Sequence, residues 1–95
     1  MDAKKSKEFY DRLRAQLLED TAWPSKYLYK FIVPTDKEKI DSITNIFDNI
    51  GAVIESKQSK KGTYTSVSIT VTLENPDAVI KKYKEVSEVE GVISL

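Results

Sequence analysis

Ninety-five residues make one domain, near the lower end of sizes that bury a self-sufficient core. Fifteen basic residues balance fifteen acidic ones, so no global field favours nucleic acid or an anionic membrane. The absence of Cys excludes disulfides and thiolate catalysis, and the absence of His removes the usual general base and the commonest transition-metal ligand.

The start, MDAKKSKEFYDRLRAQ, lacks the apolar stretch of a secretory signal, and no apolar run approaches the roughly 20 residues that span a bilayer. A soluble, cytoplasmic protein is expected. Met1 to Lys7 is charged and expected to fray. The spacing of Phe9, Leu13 and Leu17, with Tyr10 and Leu18 beside them, predicts a helix from Ser6 as its cap to about Asp20-Thr21. In the connector Trp23-Pro24-Ser25, Pro24 disfavours helical geometry at Trp23. Trp23 reads as a hydrophobic latch onto the domain, or else as an exposed interface aromatic.

Tyr27 to Val33 (YLYKFIV) is aromatic and apolar, stops at Pro34 and predicts an interior strand interrupted only by Lys30. Thr35 then caps a helix, with Glu38 completing a capping box. Ile40, Ile43, Phe47 and Ile50 form its apolar stripe, and Gly51 stands where a left-handed stop is expected. Ala52 to Gln58 is a weaker strand, and Ser59-Lys60-Lys61-Gly62 supplies a turn with Gly62 at positive φ. The next stretch alternates: Thr65, Val67, Ile69, Val71 and Leu73 on one side, Tyr64, Ser66, Ser68, Thr70 and Thr72 on the other. Asn75 caps the last helix with Pro76 at its first position. Val79, Tyr83 and Val86 mark the buried face, Ile80 lies at its edge, and Val92 to Leu95 is a terminal strand.

The order is strand-helix-strand-strand-helix-strand after an extra helix. That is an α+β, ferredoxin-like (βαββαβ) sandwich: a four-stranded antiparallel sheet with two helices on one face. Residues 1–21 form the charged tail and extra helix, and 22–95 form the ferredoxin-like domain.

Alternation sets Lys30 with Leu28 and Ile32, on the face opposite Tyr29, Phe31 and Val33. If the latter meet the helices, Lys30 shares the open face with Tyr64, Ser66 and Ser68. A lysine there is a stem lying over apolar surface, or an anchor for an anion. Leu28 and Ile32 imply a cover for this face, either the N-terminal helix or a partner subunit. At the hairpin tip, Lys57, Lys60 and Lys61 read as a solvated cluster, or as an anion site in which Gly62 turns backbone N–H groups inward. The candidate ligand- or partner-binding residues are therefore Lys30, Lys61, Gly62, Tyr64, Ser66 and Ser68. Lys61-Gly62 matches the start of an RNA-recognition strand, but the stacking positions that follow are Thr63 and Thr65, and Tyr64 is out of phase. The acidic residues form no catalytic pair, and no base activates the hydroxyls. No catalytic residue, metal site or cofactor is assigned.

Three segments carry a family resemblance. Trp23-Pro24 precedes Tyr27-Leu28-Tyr29-Lys30-Phe31. The stretch Lys61-Gly62-Thr63-Tyr64-Thr65-Ser66-Val67-Ser68-Ile69-Thr70 follows, with an extra Lys60 after Ser59. The end is Glu90-Gly91-Val92-Ile93-Ser94-Leu95. From Leu17 onward the chain resembles the YbeD-like family of small bacterial proteins of unknown function, also called lipoate-regulatory. The resemblance implies a fold like that of the ACT domains, which sense small ligands in amino-acid metabolism, and a link to lipoate metabolism. ACT domains that bind amino acids carry a glycine in the loop after the first strand. Here that loop is Val33-Pro34-Thr35-Asp36, without glycine and with one amide removed.

The expectation is a non-enzymatic regulatory domain that senses a small metabolite or binds a protein partner, without a membrane and with nucleic acid disfavoured. Two alternatives stand beside it: a ligand-free interaction module that homodimerises or adds strands at its sheet edge, and a weak single-stranded RNA binder.

Overall fold

Two long alternating strands organise the molecule. The computed structural model describes residues 3–95, with side chains from Lys7 onward. Its elements are α1 (Ala3–Asp20), β1 (Ser25–Pro34), α2 (Lys37–Ile46), β2 (Val53–Gln58), β3 (Tyr64–Leu73), α3 (Pro76–Val86) and β4 (Ile93–Ser94). The four strands form one antiparallel sheet in the order β2-β3-β1-β4, an α+β arrangement consistent with the expected fold.

β1 and β3 pair along their whole length, with Tyr29, Phe31 and Val33 opposite Ile69, Val67 and Thr65. These six residues are buried, as are Ile43 and Phe47 of α2 and its flank and Val79, Ile80 and Val86 of α3. Burying each large apolar side chain contributes about 1.5–3 kcal/mol, so this two-layer core is the main source of stability. Thr65 is the polar member, and its hydroxyl bonds to the Thr35 hydroxyl at 2.8 Å.

That bond moves the cap of α2. Thr35 still belongs to the ladder, with its N–H donating to Thr63 O, so Asp36 becomes the cap and accepts from the Glu38 N–H at 2.9 Å. α2 also ends a turn earlier than Gly51 suggests. Phe47 is its C-cap, and Asn49 takes up a left-handed conformation at φ 63° before Gly51 does at 75°. Ile50 is therefore exposed rather than part of the stripe. α3 begins as expected, with Asn75 accepting from the Ala78 N–H and Pro76 following it. Its buried face is rotated slightly, with Ile80 fully inside and Tyr83 half-buried. The terminal strand is shorter than expected, Ile93–Ser94.

α1 is helical from Ala3, so Ser6 lies within the helix, and its side chain falls outside the described residues, as Met1 and Asp2 do. The helix lies against α3. Arg14 pairs with Asp77, and the Lys84 ammonium sits 5.3 Å from the centre of the Tyr10 ring. Trp23 packs on the core and donates its indole N–H to Leu17 O at 3.1 Å, which ties the end of α1 to the start of β1. Phe9 and Leu18 stay exposed.

Candidate functional site

Register fixes what the face away from α2 and α3 presents. Lys30 stands opposite Ser68, and Ser68 opposite Glu55, giving the row Glu55-Ser68-Lys30 across three strands. The next row is Lys57-Ser66-Ile32-Ile93, and the one on the other side is Val53-Thr70-Leu28. Tyr64 lies at the end of the face, opposite Pro34. Lys30, Tyr64, Ser66 and Ser68 therefore share one face, but they do not converge. Tyr64 lies four residues from Ser68, about 13 Å at a rise of ~3.3 Å per residue.

The proposed cover is not supplied by α1, which lies on the helical side. Leu28 is 58% exposed and Ile93 53%, on either side of Lys30 and Ile32, and Val53 is 62% exposed at the far edge. The charges on this face are Lys26, Lys30 and Lys57 against the single carboxylate of Glu55. Tyr64 is its only aromatic strand residue, so a base would find one stacking platform rather than a row.

At the hairpin tip several groups are already engaged. Gly62 adopts φ 75° and donates its N–H to Ser59 O at 2.8 Å, closing the turn. Its N–H is thus not among the donors an anion could use. The Ser59 hydroxyl accepts from the Tyr64 N–H, and the Ser66 hydroxyl donates to Lys57 O. Lys60 and Lys61 remain exposed beside the turn.

Sequence reading did not reach two polar clusters on the other side of the sheet. The Tyr29 hydroxyl donates to Val79 O at 2.9 Å, and the Tyr27 and Tyr83 hydroxyls share a 2.7 Å bond. Burial holds the phenol pKa values of Tyr29 and Tyr83 well above their usual range, the Tyr27 bond adding to the effect at Tyr83. Both stay neutral and structural near neutral pH. Lys82 reaches from α3 to the last turn of α2, donating to Ile46 O at 2.7 Å and to Glu85 at 3.3 Å. A cation at a helix C-terminus meets the negative end of the backbone dipole, which makes Lys82 a clasp between the two helices.

Two grooves also lie on the helical side. One, of about 1150 Å³, runs between α1, α3 and β4 with Phe9, Leu13, Val86 and Val92 on its walls. Its cations Lys7, Arg14 and Lys84 already face Asp11, Asp77 and Tyr10. The other, of about 850 Å³, is an open cleft of mixed charge between α2 and α3. Among the described residues no helix is long and apolar enough to cross a membrane.

The family described as "Protein of unknown function (DUF493)" matches residues 19–95. UPF0250 proteins of Haemophilus influenzae strains ATCC 51907 and PittEE are each 55% identical over 38 residues, covering 40% of this chain and 41% of the relative. The matched segment thus spans less than half the length of these curated relatives. No solved structure matches.

Proposed function

From a chain that belongs to the DUF493 family, the YbeD-like UPF0250 proteins of unknown function, we propose a non-enzymatic binding domain that regulates a protein partner. Its contact surface is the open face of the sheet, and the partner presents acidic residues beside apolar ones. The carrying observation is the juxtaposition on that face. Leu28 and Ile93 are more than half exposed next to Lys30, on a surface with three lysines and one carboxylate. Apolar side chains left open in such a row favour a covering surface, and the lysines select an anionic one.

The strand order, with a helix after β1 and another after β3, supports a ferredoxin-like, ACT-like fold. A binding role rather than catalysis is supported by the chain's lack of His and Cys. The tyrosines with shifted pKa are tied into packing. Cytoplasmic residence fits this reading.

The test is capture of partners by purified wild-type protein, by an L28E/K30E variant and by a K81E variant on the helical side. Partners held by wild type and K81E but released by L28E/K30E, with binding that weakens as salt rises, support the proposal. Partners held equally by all three proteins would move the contact elsewhere.

A second reading, sensing of a small metabolite, is favoured by the apolar groove between α1, α3 and β4. A concentration-dependent rise in melting temperature with lipoate, an amino acid or an acyl donor, lost on substitution of Leu13 by Glu, would support it.

A further inference from the structure

We propose that the partner covers the open face of the sheet with an amphipathic α-helix laid along β1, carrying carboxylates and apolar side chains alternately at four-residue steps. The proposal rests on the reading above that this face is the contact surface, and it adds the form and spacing of what binds there.

Four side chains stand in line along β1 on that face: Lys26, Leu28, Lys30 and Ile32. Charged and apolar groups alternate in the line. Lys26, Leu28 and Lys30 are exposed and Ile32 is half-buried. The exposed Ile93 of β4 stands beside Ile32 and widens the apolar end. The neighbours on β3 are Thr72, Thr70, Ser68 and Ser66, all with shorter side chains, so the line on β1 forms a ridge.

Backbone chemistry decides what can cover such a ridge. The N–H and C=O groups of β1 lie in the plane of the sheet, directed at β3 on one side and at the β4 side on the other. An extended segment lying on the face would find no backbone partners there and would bury its own amide groups unpaired. A helix satisfies those groups internally and offers side chains alone. A second copy of this face would set three lysines and one carboxylate against an identical set, so charge selects against self-association here. The chain's own α1 is held on the other side of the sheet by Arg14 and Tyr10.

Spacing supplies the register. Alternate residues of a strand lie about 6.6 Å apart, and residues four apart on a helix rise about 6 Å. A helix parallel to β1 therefore meets Leu28, Lys30 and Ile32 with its residues i, i+4 and i+8. That row drifts by about 80° around the helix over the two steps, within the roughly 100° width of an amphipathic stripe. Chemistry then assigns the positions. Residues i and i+8 are apolar, the first against Leu28 and the second against Ile32 and Ile93. Residue i+4 is Asp or Glu, because covering the Lys30 ammonium between two apolar contacts without a counter-charge is unfavourable. A further carboxylate at i−4 meets Lys26 at the end of the row.

The experiment uses the full chain and a capped, labelled peptide of about 16 residues, long enough to hold a helix once bound. It carries Leu at i and i+8 and Glu at i−4 and i+4 on an Ala-Gln background. Binding is read by fluorescence anisotropy and helix content by circular dichroism. Wild type is expected to bind the peptide saturably with a gain in helical signal. K30E should bind it about tenfold or more weakly, and exchanging the i+4 Glu of the peptide for Lys should restore binding to K30E. A proline placed midway between i and i+4 should abolish binding, because it breaks the helix. A proline peptide that binds wild type as tightly as its parent would overturn the helix, while K30E sensitivity would keep the face. No saturable binding at millimolar peptide would also overturn the helix, and the capture experiment above would still decide on the face by itself. Binding that K30E leaves unchanged would overturn both.

Discussion

Replacing Tyr29 by Phe removes one hydroxyl from the centre of the core, and the consequence should depend on pH in a calculable way. Tyr29 is fully buried, and its hydroxyl donates to Val79 O. At pH 7 the loss of that bond, whose acceptor keeps its place in the helical ladder of α3, should cost about 0.5–1.5 kcal/mol. The pH term has the opposite sign. Burial raises the folded-state pKa of Tyr29, while in the unfolded chain it titrates near its usual value of about 10. The wild type therefore keeps this contribution in full below about pH 10 and loses it above, as the unfolded chain releases a proton that the fold retains. One unit above the unfolded pKa that loss is about 1.4 kcal/mol. Y29F has no such proton, so its deficit should shrink towards zero by about pH 11. Lysines titrate in the same range, but they are common to both proteins and cancel in the difference. Urea unfolding followed by Trp23 fluorescence at pH 7, 9, 10 and 11 measures the gap directly. A gap that stays constant from pH 7 to 11 would refute the assignment of Tyr29 as a buried, neutral phenol.

Two further outcomes test the frame around the core. K82M should lower stability by about 1–2 kcal/mol through loss of the bond to Ile46 O, while K81M on the wet side of the same helix should stay within about 0.5 kcal/mol, both read from urea midpoints. D36A should cost about 1 kcal/mol and D36S much less, since a hydroxyl can replace the carboxylate as cap of α2.

Where the sequence spoke through period and spacing it placed elements closely. The alternation from Tyr64 to Leu73 gave β3 and its two faces, because a period of two has only one arrangement against a core. Asn75-Pro76 gave the start of α3 for an equally local reason. What could not be read depended on contacts distant in the chain. Thr35 and Asp36 are adjacent and both competent to cap, and the choice falls to the Thr65 hydroxyl thirty residues away. Asn49 reaches the left-handed region before Gly51 can, since asparagine tolerates that conformation better than other side chains with a Cβ. Lys82 on an amphipathic helix looks like any solvated lysine, and only the end of α2 nearby gives it a role. For the site, alternation sufficed to set Lys30, Ser66, Ser68 and Tyr64 on one face. Whether α1 covers that face was not encoded in its stripe, which states that one side is apolar and not which surface receives it.

The balanced charge of the chain hides an uneven distribution that bears on the proposed partner surface. The strands present Lys26, Lys30 and Lys57 with only Glu55 on the open face, while on α2, α3 and the turn after α3 the acids Glu38, Asp41, Asp77, Glu85 and Glu88 are matched by Lys37, Lys39, Lys81, Lys82 and Lys84. Zero net charge thus coexists with a basic face, and local complementarity rather than the global field would select a partner.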